Sequence, residues 1–213
     1  MLQAVDPLLT VVLLINFFAL GASRIRAVVS AVAIQGIALG MLVVFVHEAH
    51  GVRTFLLAGG AIVLKGAVIP SMLNKAMRDA AIRREVDPYV GFIPSLLLGA
   101  LATGLSIVFA RTLPLTEEHA GSMLVPTSLA TVLTGFIVLT TRRKAITQVI
   151  GYLVLENGIF VFGLLLVEAM PFLVEVGVLL DLFVGIFVMG IIVNHISRTF
   201  NTMDTGELTA LKE

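Results

Sequence analysis

The chain contains no cysteine and no tryptophan. Without cysteine it forms no disulfide, and it holds no iron–sulfur cluster through thiolates. Without tryptophan, and with only two tyrosines, it carries a thin version of the aromatic belt that marks membrane interfaces. Charge is scarce too: 13% of the 213 residues are charged, against roughly a quarter in a soluble domain. The 14 basic and 14 acidic side chains cancel, so the composition offers no electrostatic footprint for nucleic acid or for an acidic partner. No Walker A string, H-E-x-x-H, G-x-S-x-G or after-strand G-x-G-x-x-G occurs.

What is present is apolar. Hydrophobic residues make up 58% of the chain, and the mean hydropathy is +1.06. A spanning helix needs about 20 mostly apolar residues. Seven stretches meet that condition, at about 7–23, 27–47, 54–74, 90–110, 122–140, 146–167 and 172–196. None alternates with period two, as an outer-membrane strand would. The reading is an all-α, polytopic protein forming a single transmembrane domain over 1–213. The N-terminal MLQAVDP lacks a basic n-region, so the first run is expected to be a retained span and not a cleaved signal.

The basic residues fall on one side of these spans. Arg24, Arg26, Lys75, Arg78, Arg83, Arg84, Arg142, Arg143, Lys144, Arg198 and Lys212 share it, and only Arg53 and Arg111 lie opposite. The asymmetry places the basic side in the cytoplasm, with the N-terminus outside and the C-terminus inside. The longest connection, 75–89, mixes charge with Ala76, Ala80, Ile82 and Val86 and reads as a short interfacial helix, ended by Asp87-Pro88. A weak repeat relates spans one to three with spans five to seven, Gln35 matching Glu156 and Lys65 matching Asp181. The two units share an orientation, so an axis relating them lies along the membrane normal.

Charge at the bilayer centre costs at least about 2.5–3.5 kcal/mol on insertion scales. Three such groups occur. Lys65 lies about 16 Å into its helix at 1.5 Å per residue, and Glu156 and Asp181 lie at roughly 14–15 Å. They therefore occupy one plane despite opposite helix directions, and Gln35 is slightly nearer the cytoplasm. Small residues share their faces: Gly177 and Gly185 beside Asp181, Ala31 and Ala38 beside Gln35, Ala61 beside Lys65. Two roles stay open. The groups form a proton relay, or Lys65 and an acid form an ion pair that fixes assembly. Glu168 and Glu175 read as surface groups. His47, Glu48 and His50 are too few for a metal site and read as a solvated loop. His119 and His195 lie on opposite sides and cannot clamp one haem. Gly59-Gly60 reads as packing or a soft point in the helix, and Pro70, Pro94 and Pro126 as tolerated kinks.

The strings RRKAITQVIGYLVLENG (142–158), LVEVGVLLD (173–181) and RTFNTMDTGELTALKE (198–213) resemble the hydrogenase-4 component E family, the HyfE-like proteins. Residues 142–213 carry the motifs, and the upstream half fits in length and span pattern. Members are small membrane subunits of energy-converting hydrogenase or formate hydrogenlyase complexes, similar to the NuoK-type subunit of complex I and the MrpC-type subunit of multisubunit antiporters. The resemblance implies a NuoK-like unit in the last three spans, with one relay acid in each of two adjacent helices. Asp181 falls at the second acid. Glu156 falls about one turn from the first, whose aligned position is Leu153. The implied location is a bacterial or archaeal cytoplasmic (inner) membrane.

The implied role is a non-catalytic subunit of a redox-driven ion pump. Asp181 and Glu156 are its relay carboxylates, Lys65 a charge partner or relay member, and Gln35 a polar bridge. The implied partners are an antiporter-like membrane subunit, a membrane anchor subunit, and peripheral and large catalytic subunits. Those partners carry iron–sulfur clusters and nickel–iron; this chain carries no cofactor. A structural assembly subunit, a small subunit of an Mrp-type cation/proton antiporter and a stand-alone secondary transporter are the competing readings.

Overall fold

The computed structural model describes residues 2–46, 51–79, 86, 88–113 and 122–166, with the single positions 177 and 190. These residues build α1 (Leu2–Gly21), α2 (Ile25–Val46), α3 (Val52–Val63), a π-helical turn (Leu64–Val68), α4 (Ile69–Asp79), α5 (Phe92–Ala110), α6 (Leu124–Thr141) and α7 (Ala145–Leu164). α3, the π turn and α4 run on as one rod, since Val63, Leu64 and Ile69 all keep helical backbone angles. Among the described residues there is no strand, only an isolated bridge between Pro88 and Arg142.

Apolar length, and not capping, defines these helices: α3, α5, α6 and α7 have no side-chain cap. Segments Ile25–Val46, Thr54–Arg78, Phe92–Ala110, Leu124–Thr141 and Ala145–Leu164 are long and apolar enough to cross a bilayer, and α1 is apolar over Val5–Gly21. The chain is a multi-pass membrane protein. Several span hydroxyls donate within their own helices, where bilayer supplies no water. Thr103 donates to the Gly99 carbonyl, Ser106 to Ala102 and Thr140 to Phe136, each at 2.8 Å.

α1, α2, α7 and α6 form a closed ring of packed neighbours, with α5 outside against α1 and α6, and the α3–α4 rod outside against α2. The ring holds two apolar layers. One gathers Val5, Leu9, Val12, Leu39, Leu42, Ala61 and Val161. The other gathers Ile25, Val29, Ile69, Leu73, Ile146 and Ile150, near the basic connections. α5 leaves Ile93, Leu97, Leu101 and Val108 exposed, as a face against lipid does.

The connection expected as an interfacial helix over 75–89 is helical through Asp79, as a direct continuation of α4. Its far end then docks on the bundle: the Val86 amide donates to the Ser23 carbonyl at 2.7 Å, and the Tyr89 amide to the Thr141 carbonyl at 2.8 Å. The ends of α1 and α6 and the start of α5 therefore meet at one end of the bundle. The Gly59-Gly60 pair is not a packing contact among the described residues, because a methyl added at either meets nothing within 4 Å. The irregularity comes one turn later, at the π turn. Pro70 lies two residues beyond it, as the second residue of α4. A proline at that point has no N–H and collides with the carbonyl four residues before it. The wider π turn, in which the Ile69 amide bonds the Leu64 carbonyl, relieves that collision.

Candidate functional site

Between the two apolar layers lies one polar layer. Its head is Lys65, the second residue of the π turn, which reaches inward from the outer rod and is buried. Its Nζ donates to Glu156 Oε1 at 2.9 Å and to Asn157 Oδ1 at 3.2 Å. The Phe160 ring lies under the same ammonium, 5.0 Å from its centroid. Close approach of the rod to α2 makes this reach short enough. A methyl added at Gly36 would stand 2.6 Å from the Lys65 Cβ, so only glycine admits the rod at that level.

The hydrogen bonds continue through neutral groups. Asn157 Nδ2 donates to Gln35 Oε1 at 3.1 Å, and Gln35 Nε2 to Asn16 Oδ1 at 2.9 Å. Asn16 Nδ2 donates to Thr131 Oγ1 at 2.8 Å, and the Thr131 hydroxyl to the Thr127 carbonyl at 2.6 Å. Every donor points the same way, from Lys65 toward Thr127. All four ring helices contribute, and all of these side chains are buried. Gly158, beside Asn157, keeps α7 against α6: a methyl there would stand 2.5 Å from the Val132 backbone nitrogen.

Chemically, the two ends of this layer differ. Lys65 and Glu156 are ionisable side chains, an amine and a carboxyl. The amides of Asn157, Gln35 and Asn16 each donate and accept, but they hold their own protons; they orient and polarise. A small cavity of about 10 Å3 adjoins the charged end, lined by Lys65, Glu156 and Asn157 together with Val29, Leu73 and Leu153.

Of the residues singled out in the sequence, Lys65, Glu156 and Gln35 come together here. Lys65 meets Glu156 directly, and Gln35 meets neither but is bridged to Lys65 by Asn157. Leu153 lines the same cavity as Glu156. Asp181 lies outside the described residues. So do His47, Glu48, His50, His119, Glu168, Glu175, His195 and the rest of 172–196 apart from 177 and 190.

Sequence reasoning missed Asn16, Asn157 and Thr131. Asn16 is a lone amide inside LLINFFALG, and that interruption was the available signal. Arg142 was placed only among the basic residues of the cytoplasmic connections. Arg142 is almost wholly buried, at 1% exposure. Its Nη2 donates to the Leu20 carbonyl at 2.7 Å, and its Nη1 to the Val90 carbonyl at 3.1 Å and to Ser95 Oγ at 3.3 Å. Its guanidinium also lies over the Phe92 ring, 5.4 Å from the centroid. Burial holds its pKa below the ordinary arginine value, yet a guanidinium keeps its charge in proteins. Arg142 therefore staples α1, α5 and the α6–α7 connection.

The comparisons with known proteins fit this membrane architecture. No family model matches the chain, and no solved structure matches it. It is 28% identical to hydrogenase-4 component E of Escherichia coli K12 over 157 residues, covering 73% of this chain and 72% of that protein. The same values hold for hydrogenase-4 component E of Shigella flexneri. It is 34% identical over 194 residues to the uncharacterized protein Rv0085 of Mycobacterium tuberculosis, covering 89% of this chain and 87% of that protein. The chain belongs to the family of that mycobacterial protein and is a distant homologue of hydrogenase-4 component E.

Proposed function

We propose that this chain is a non-catalytic membrane subunit of a redox-driven, ion-pumping complex of the energy-converting hydrogenase type, and that it contributes carboxylates to a proton-conducting axis at mid-membrane. One observation carries the reading: a lysine and a glutamate, both buried, 2.9 Å apart between two apolar layers of a membrane bundle. Ionisable groups at that depth are costly and mark ion pathways by default. The distant homology to hydrogenase-4 component E supports the type of complex.

In this reading Glu156 takes up and releases the proton while Lys65 balances its charge, and Gln35 holds the amide thread in register. Asp181 is the second relay acid, on a seventh span that completes a NuoK-like unit with the two before it. The N-terminus faces outward and the basic connections face the cytoplasm of a bacterial or archaeal cell. Partners supply the electron chemistry: an antiporter-like subunit, a membrane anchor, and peripheral and large subunits holding iron–sulfur clusters and nickel–iron.

The test is redox-driven proton uptake in inside-out vesicles carrying the whole complex. Glu156→Gln, which unlike an aliphatic replacement keeps an oxygen acceptor for the Lys65 ammonium, or Asp181→Asn leaves the complex assembled and lowers proton translocation per electron. Full pumping by an assembled double variant would remove the relay. A second reading has its own observation. The one-way amide thread ties four helices through neutral groups that carry no proton, as a purely structural assembly subunit, or a small subunit of an Mrp-type antiporter, would also need. There the same substitutions release partners in detergent, and any complex that survives pumps normally.

A further inference from the structure

The cavity beside the charged pair is one-sided. Its apolar walls include Val29, four residues into α2, Leu73 in α4, and Ile150 and Leu153 in the first half of α7. Each lies between the polar layer and the end of the bundle where the basic connections meet. No lining residue comes from the layer of Leu39, Leu42, Ala61 and Val161, and the Phe160 ring closes over the Lys65 ammonium.

A cavity holds a water when it offers about 10–15 Å3 to the water's centre and two to four polar partners. This one offers about 10 Å3 and three polar side chains, Lys65, Glu156 and Asn157. Below them the walls are aliphatic and buried, with Val29, Leu73, Ile150 and Leu153 at 5% exposure or less, and an apolar constriction of that kind passes water only intermittently, wetting and dewetting.

We propose that the Lys65–Glu156 pair holds a single-water site that exchanges with the basic face of the membrane only, through an apolar neck formed by Val29, Leu73, Ile150 and Leu153. The ligand is water, with hydronium as its charged form. The neck sets the side from which the pair gains and loses protons, and its hydration sets when. The inference deepens the relay reading and takes its purpose from it. Its test reads access alone and stands apart from pumping.

The chain has no native cysteine, so single thiols report position without background from this subunit. Leu73→Cys and Ile150→Cys place them in the neck, on two different rods, so that loss of assembly in one leaves the other. Leu39→Cys and Val161→Cys place them in the opposite layer. Ala145→Cys and Val52→Cys mark the two faces, both positions being exposed. Sealed vesicles of either orientation, carrying the whole complex, are treated with silver nitrate in chloride-free buffer. Silver ion is close to water in size and reacts with thiolate. The thiols left unreacted are then alkylated after denaturation and counted by mass on this subunit.

The expected result is that the Leu73→Cys and Ile150→Cys thiols react from the face that reaches Ala145→Cys, at least about tenfold faster than from the face that reaches Val52→Cys, as a one-sided hydrophobic gate requires. The Leu39→Cys and Val161→Cys thiols stay unreacted from both. Equal reaction of the neck thiols from the two faces, reaction from the Val52→Cys face alone, or no reaction while Ala145→Cys reacts would each overturn the site. Failure of the relay reading shows instead as full pumping in Glu156→Gln with the silver pattern intact.

Discussion

Among the described residues two basic side chains are buried, Lys65 and Arg142, and they are satisfied in opposite ways. Lys65, at mid-bilayer, meets a carboxylate, a side-chain amide and an aromatic ring. Arg142, at the end of the bundle, meets the Leu20 and Val90 carbonyls, the Ser95 hydroxyl and an aromatic ring. The helix itself explains the difference. Mid-helix carbonyls are consumed by the ladder, so a cation at that depth needs acceptors from side chains. The last turn of a helix leaves carbonyls without partners. Leu20 is the penultimate residue of α1, and Val90 lies in a connection, so both offer oxygens to a guanidinium whose planar fork suits several acceptors at once. A mid-membrane cation therefore brings an ionisable partner with it, whereas an interfacial one does not.

That contrast can be broken in several places. The largest effect is expected for Glu156→Leu, which strands the Lys65 charge in the bundle and costs about 3–5 kcal/mol. The loss reads out as failure of the chain to enter the assembled complex. Adding Lys65→Met to it restores most of the assembly, because removing both charges removes the stranded one. Arg142→Leu is expected to cost less, about 1–3 kcal/mol, since it leaves polar groups unpaired but strands no ion. Loss of α1 and α5 docking should appear as faster proteolysis of the 86–91 connection in otherwise folded protein.

Pro70→Ala sharpens the comparison by moving one cation without deleting it. Closing the π turn to α turns Lys65 by about 100° relative to the rod beyond it, the rotation per residue of an α-helix. The double-mutant coupling between Lys65 and Glu156 should then shrink, while the variant stays assembled; unchanged coupling would separate the π turn from the pair. The smallest effect is expected for Gln35→Leu, which cuts the neutral thread. Interhelical hydrogen bonds in membranes average about 0.6 kcal/mol each, with a maximum near 1.7, so its two bonds cost little in assembly. A large loss of proton translocation in that variant would give the thread a function beyond holding helices.

The parts of the site legible beforehand were those whose cost does not depend on a partner. Lys65 and Glu156 stood out because charge at mid-span is expensive wherever it points, and helical rise alone put them at one depth. The thread was not legible in that way. Asn16, Asn157 and Thr131 disturb hydropathy too little to stand out, and their value lies in which neighbour each one faces. The role of Arg142 was hidden for the reverse reason: its place beside two other basic residues fits the positive-inside pattern, and nothing local marks it as buried. The π turn was displaced from the conspicuous Gly59-Gly60 pair to Pro70, because the backbone yields where a proline lacks an N–H and not where glycines merely permit it.

The sequence by itself determined that this is an all-helical membrane chain with ionisable groups at mid-span, since hydropathy, run length and depth are properties read along one dimension. Only the tertiary structure decided that Lys65 closes on Glu156 and that Asn157 bridges it to Gln35. It also decided that the cavity lies on one side of the pair. Those facts depend on how each helix is rotated, and rotation is set by close contacts between helices distant in the chain, through small residues such as Gly36 and Gly158.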